Sequence, residues 1–158
     1  MPQLPLGHFK LLEFAPAAIP CMAFEEVVAE KIRAASQRSK VRDLHDLSEI
    51  ALRALDRDLI RSLAVLKLWG SEGPNLDYNR LRGRIMGAAD YDIAELATLL
   101  RKDQRPVLNE MIERVVDGFR FLGEMTDLEK NIAGDDIRRR RAEAQALYAA
   151  VKKRAGSE

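Results

Sequence analysis

Between Pro20 and Gly70 the chain carries neither glycine nor proline, and across that span its apolar residues recur at helical spacing. Such spacing gathers them on one helix face, whereas a half-buried strand would need strict alternation. A breaker-free stretch of this kind can only fold as helices joined by tight polar turns. The pattern continues beyond it and predicts helices over 23–37, 41–55, 57–69, 78–86, 92–102, 106–125 and 127–153. Gly70-Ser71-Glu72-Gly73-Pro74 is the clearest loop, and it separates a helical hairpin region from a second group of helices. Asp92 with Glu95, and Thr126 with Glu129, have the spacing of helix-start capping pairs, and Pro106 suits a first helical turn. No internal repeat is visible.

The N-terminal stretch differs. Residues 1–20 hold four of the six prolines, with short apolar pieces at Leu11-Leu12-Glu13-Phe14 and around Ile19 to Met22 that read as strands. Alone, such strands have no sheet to join. The expected fold is mainly α, a helical bundle-like lobe over 23–158 preceded by a lead-in segment, 1–22, with one or two short strands. Unpaired strands recruit neighbours, so residues 1–22 are expected to pair within a homodimer or with a partner chain, or to lie across the helical lobe and cover it. The whole has 158 residues, 47% of them hydrophobic, which suffices for one domain with its own core.

A formal net charge of +1 gives no global field that would draw the chain to nucleic acid or an anionic membrane. The single cysteine, Cys21, excludes an internal disulfide and a cysteine-based zinc site. The opening residues make a poor signal peptide and no membrane span, so a cytoplasmic location is expected. The final helix is read to begin with the acidic pair Asp135-Asp136, to continue through the run Arg138 to Arg141 and to end with Lys152-Lys153-Arg154, acid at the start and base at the end complementing its dipole. The arginine run reads either as a solvated helix face or as a patch for RNA phosphates.

On a helical wheel, Phe24, Val27, Val28, Ile32 and Ala35 form one apolar stripe with Lys31 in its middle, while Glu25, Glu26, Glu30 and Arg33 point elsewhere. A lysine so placed needs a counter-charge or an escape to water past a small neighbour such as Ala35. The next helix begins Arg42-Asp43-Leu44-His45-Asp46-Leu47. Its apolar face is Leu44, Leu47, Ala51, Leu52 and Leu55, with Asp43 and Asp46 side by side on the rim. Two carboxylates and an inward lysine on adjacent helices make a polar site at the edge of a core. The same acids also suit the first turn of a helix without any further role.

The segment from Phe24 through Ala29-Glu30-Lys31 to Ala35, followed by Arg38 and Arg42-Asp43-Leu44-His45-Asp46-Leu47, resembles the paired motif of the AbiEii/AbiGii nucleotidyltransferase toxins. In that family an Ala-Glu-Lys helix precedes an Arg-Asp-x-x-Asp-Leu helix. The resemblance implies transfer of a nucleotidyl group from a nucleoside triphosphate, with Mg2+, by a toxin paired with an antitoxin, and tRNA acceptor ends are targets of some relatives. It implies nucleotide contacts for Lys31, Arg38 and Arg42, a catalytic base or orienting role for Asp43, and support from Asp46. A lysine is a compact cation for phosphate, and a carboxylate can accept the attacking hydroxyl's proton.

The family also carries a Gly-Ser turn followed by a strand with paired metal-binding carboxylates. Nothing before residue 19 has that form. Gly70-Ser71 runs into a Gly-Pro loop and Asp77-Tyr78-Asn79, and Asp90-Tyr91-Asp92 reads as a helix cap. The expectation is therefore a remnant, split product or shortened reading of such a transferase, with no metal site and no catalysis alone. The rival is a helical interaction module that binds an antitoxin, a partner chain or RNA. A HEPN-type ribonuclease, using Arg38 and His45 at a separation that family employs, is the third reading.

Overall fold

A computed structural model of the protein describes residues 21–87, 91–100 and 106–155. Among them the structure is helical: α1 (Phe24–Gln37), α2 (Val41–Ile50), α3 (Arg57–Trp69), α4 (Tyr78–Ile85), α5 (Ile93–Leu99), α6 (Leu108–Gly118), α7 (Asp127–Ala133) and α8 (Arg141–Ala155), with a 3-10 turn at Arg120–Gly123. The mainly α expectation holds. The expected strand at 11–14 lies outside the described residues. So does half of the one at 19–22, whose described members Cys21 and Met22 take no regular structure. No helix among the described residues is long and apolar enough to cross a membrane.

The α1–α3 pair forms the centre. Val28, Ala29, Ile32 and Ala35 of α1 and Ile60, Ala64, Val65 and Leu68 of α3 are buried in one core. Small residues on both helices let the axes approach, and each buried large aliphatic side chain contributes about 1.5–3 kcal/mol. α2 leans on α1 and is backed by α6, while α7 and α8 cover the other side of α3. α4 packs on α1, α6 and the 3-10 turn through Leu81 and Ile85.

Among the described residues four helix starts are fixed by side chains that satisfy otherwise orphaned backbone N–H groups. Asp56 accepts from Leu59, Asp77 from Arg80, and Asp92 from Ala94 and Glu95. Thr126 and Glu129 form a complete capping box.

Three expected helices are shorter than their periodicity. The helix expected over 41–55 ends at Ile50, which leaves Leu52 65% exposed and outside the core. Directly after it, Ala51 approaches Gly118 so closely that a Cβ on Gly118 would lie 2.7 Å from that of Ala51. The helix expected over 106–125 closes at Gly118 and finishes as the 3-10 turn. The helix expected over 127–153 is two helices, because the Asp135 carboxylate accepts from Trp69 Nε1 at 3.1 Å and from the Arg140 backbone N–H at 2.7 Å. Those bonds pull residues 134–140 into a loop. Within it Arg138 takes φ +56°, the left-handed region that non-glycine residues rarely occupy.

The arginine run is accordingly not a helix face. Arg138 spends its guanidinium on the carbonyls of Ser71 (2.8 Å) and Gly73 (3.0 Å) and on Asn75 Oδ1 (3.1 Å). Arg140 pairs with Glu143 at 2.8 Å.

Candidate functional site

α1 and α2 are joined by the short turn Arg38 to Lys40, which folds the second helix back alongside the first. That turn brings Lys31 of α1 against the first turns of α2. Lys31 Nζ lies 2.6 Å from Asp46 Oδ2 and 3.5 Å from Asp43 Oδ1. On the far side of Asp43, Arg38 Nε donates to Oδ2 at 2.8 Å. The result is an alternating row, Asp46, Lys31, Asp43, Arg38, in which Asp43 has a cation on each side.

Burial differs along the row. The Asp43 side chain is 5% exposed, that of Lys31 33%, that of Asp46 44% and that of Arg38 60%. Asp43 was expected on a rim and is instead enclosed. Lys31 was expected at the centre of an apolar stripe and stands on its flank. The reason is the rotation of α1: α3 takes Val28, Ala29, Ile32 and Ala35, so Val27 and Lys31, one turn apart, face outward together. The hydrogen bond to Asp46 raises the Lys31 ammonium above its ordinary range, burial opposes this, and the charges of Asp46 and Asp43 add to the rise. Its stabilising share is full below the ordinary lysine pKa and is lost as pH climbs through the raised value.

Lys31, Asp43 and Arg38 line a shallow cleft of about 160 Å3 together with Glu30, Arg33, Ala34 and Gln37. A space that size is well below the roughly 300–1,000 Å3 of small-molecule pockets, so it can take one charged group of a ligand and not a whole nucleotide. Glu30 and Arg33, which the wheel turned away, border the same cleft. Arg33 is hydrogen-bonded to Glu30 and, at 2.7 Å, to Gln37 Oε1. Their spacings of three and four residues are the signal that could have placed them together.

Arg42 is not part of this group. Its Nε lies 3.3 Å from Glu95 Oε1, where it ties α2 to α5. His45 lies 3.9 Å from Asp46 Oδ1 and lines a separate cleft with Glu49, Met111 and Arg114. Arg38 and His45 thus border different depressions.

The carboxylates do not suit a divalent metal ion. Both are already matched to Lys31, Asp43 is matched to Arg38 as well, and a cation between them would meet the ammonium. Among the described residues no three His, Cys, Asp or Glu side chains are grouped to hold a metal.

The comparisons with known proteins bear on this motif. Residues 2–130 match the family described as Nucleotidyl transferase AbiEii toxin, Type IV TA system. The fold is similar to MenT4, the nucleotidyltransferase toxin Rv2826c from Mycobacterium tuberculosis H37Rv, with a TM-score of 0.67 and 28% identity. That likeness covers 93% of this chain and 50% of MenT4, so the chain spans about half the length of that protein. A search of curated proteins found no match. With the Lys31 and Asp43 helices inside the matched region, the chain belongs to the AbiEii nucleotidyl transferase toxin family of type IV toxin–antitoxin systems.

Proposed function

We propose that the α1–α2 hairpin is the nucleotide side of a nucleotidyltransferase toxin's active centre. In this reading Lys31 and Arg38 meet the phosphates of a nucleoside triphosphate, and Asp43 orients both cations and can accept the proton of the attacking hydroxyl. The observation that carries the reading is the row Asp46, Lys31, Asp43, Arg38, whose last three members line an open cleft. An enclosed carboxylate that accepts from two partly exposed cations pre-orients them for an anion, and a phosphate arriving at the cleft exchanges water for charge-assisted bonds.

Phosphoryl-group chemistry of this kind draws on metal ions held by carboxylates, and those ions would neutralise the leaving pyrophosphate. In this proposal those carboxylates are contributed by a separate transferase part and not by this chain. The chain by itself then binds triphosphate weakly and does not transfer, with an antitoxin as its partner and an RNA end, such as that of tRNA, as acceptor.

The test is a nuclear magnetic resonance titration of the labelled chain with each nucleoside triphosphate. Shifts should centre on Lys31, Arg38 and Asp43 and vanish in Lys31→Met. Shifts centred elsewhere, or unchanged in that variant, would overturn the assignment. In parallel, the purified chain with Mg2+, labelled triphosphates and total tRNA should give no incorporation. Incorporation that is lost on Asp43→Ala would show that the chain is complete as a catalyst.

One observation favours a second reading. Val27 is 37% exposed one turn from Lys31, and Met22, just ahead of α1, is 49% exposed. Apolar groups beside a polar site suit docking, and a helical interaction module would bind an antitoxin or another chain there.

A further inference from the structure

Several cations of this near-neutral chain are matched to acids on their own or neighbouring helices, among them Arg33 to Glu30, Arg42 to Glu95, Arg61 to Glu129 and Arg154 to Asp56. α4 is different. Its sequence, Tyr78-Asn79-Arg80-Leu81-Arg82-Gly83-Arg84-Ile85, contains three arginines and no acid. The carboxylate of Asp77, at its start, is engaged by the Arg80 backbone N–H at 3.1 Å. Among the described residues no ion pair joins α4's arginines to a carboxylate. Arg80 reaches only the backbone carbonyl of Asn75.

With Leu81 and Ile85 buried, Arg82 falls on one flank of the outward face and Arg80 with Arg84 on the other. Asn79, Gly83 and the half-exposed Met86 lie between them. Arg120, also exposed, shares a surface depression with Tyr78 and Asn79, in which Glu124 is an exposed acid. Two details of this face are costly for the isolated chain. Arg84 Nε is enclosed with no hydrogen-bond partner, and an orphaned donor of that kind is destabilising. Gly83 stands inside a helix, where alanine is favoured, although a Cβ there would meet nothing within 4 Å. The chain's own packing has no use for that glycine. A partner that passes close to the helix backbone would.

We infer that the outward face of α4 binds the phosphodiester backbone of RNA, with the strand running over Gly83 between Arg82 and the Arg80–Arg84 pair. Arginine forks suit phosphate oxygens, and a strand's evenly spaced anions match cations displayed on both sides of a bare helix surface. These residues are distinct from the Lys31 cleft, so the two proposals can fail separately. The surface also differs from the one that the arginine run suggested, since Arg138 and Arg140 are consumed by bonds within the chain.

The experiment measures binding of the full chain to a short fluorescein-labelled single-stranded RNA across a salt series. Wild type should bind with an affinity that falls steeply as salt rises. Replacing Arg80, Arg82 and Arg84 together by glutamine should weaken binding about tenfold or more and flatten the logarithmic salt slope by about 2, as expected from about 0.7 per lost phosphate contact. Gly83→Gln should weaken binding while its melting temperature stays equal or rises, which separates a binding defect from a folding one. Lys152→Gln, on the exposed surface of α8, should bind RNA as wild type does. The idea is overturned if wild type does not bind at low salt, or if the triple variant keeps the wild-type slope. It is equally overturned if polyglutamate competes as well as unlabelled RNA, an outcome that would assign the face to an acidic protein.

Discussion

Arg61 and Glu129, 68 residues apart in sequence, meet in the core with Nε and Oε2 at 2.9 Å, the two side chains 7% and 1% exposed. The same carboxylate accepts from Ser62 Oγ at 2.8 Å and from the Thr126 backbone N–H at 2.8 Å. One glutamate therefore caps α7 and locks it to α3. Burial pushes the Glu129 pKa up, but the bonds from Thr126, Arg61 and Ser62 outweigh it and hold the carboxyl below its usual range.

Removing either partner of a buried pair strands the other, so Glu129→Ala should cost about 3–5 kcal/mol, and Arg61→Met alone a comparable amount. The double change to methionine should cost less than the sum of the single changes. Because the folded pKa is depressed, the stabilisation is present above the unfolded glutamate value of about 4.3 and is lost as pH falls through the lower folded value. The stability gap between wild type and Glu129→Gln in urea melts should narrow on acidification. A gap that does not change with pH would mean that the carboxyl is uncharged in the fold.

Within the α1–α2 row, burial ranks the substitutions. Asp43→Ala leaves Lys31 and Arg38 without their shared acceptor and opens an enclosed site, a cost of about 2–4 kcal/mol. Asp46→Ala removes a pair that is 44% exposed on the acid side and should cost no more than about 1 kcal/mol. Lys31→Met keeps much of the stem's packing and should cost little. Chemical denaturation of the three variants checks the order, and equal losses for the two aspartate changes would contradict the enclosed position of Asp43.

The fold class, the span of α3 and the meeting of Lys31 with Asp43 and Asp46 were legible because each depends on local signals. Periodicity, the boundary at Gly70 and a turn too short to separate the two helices are all written within a few dozen residues. The wheel failed at Val27 and Lys31 because the rotation of α1 is set by which row of α3 it meets, a tertiary choice that periodicity cannot resolve. The break at 134–140 has a local sign in Gly134, the residue that closes α7, but the loop that follows it is set by tertiary contacts. Its cause is a bond from Trp69, 66 residues away in sequence, to Asp135. Arg42 was read with its neighbours, and its actual partner Glu95 lies on another helix.

Gly118 is required by space, with φ not in the left-handed region. A Cβ there would lie 2.7 Å from Ala51 Cβ and 3.5 Å from its Cα, so the end of α2 would have to move. Gly118→Ala should destabilise by about 1–3 kcal/mol, against the small gain that alanine brings in an open helix. Gly83→Ala is the control, with free space at the same substitution. Thermal melts should move in opposite directions for the two variants.

Arg138 sits in a backbone conformation that costs about 1–2 kcal/mol for a residue with a side chain, and its guanidinium explains why the fold keeps it there. It reaches back to Ser71 and Gly73 in the loop after α3 and to Asn75, which is 4% exposed. The loop before α8 and the loop before α4 are thus held by one side chain. Arg138→Gly relieves the backbone and loses the bonds, whereas Arg138→Ala loses the bonds and keeps the strain. Both should destabilise, alanine by about 1–2 kcal/mol more than glycine. Hydrogen exchange should rise at residues 71–77 in both variants, while the Arg61–Glu129 region stays protected. A glycine variant as stable as wild type, with unchanged exchange in that loop, would show that the three bonds add nothing and that the strain alone matters.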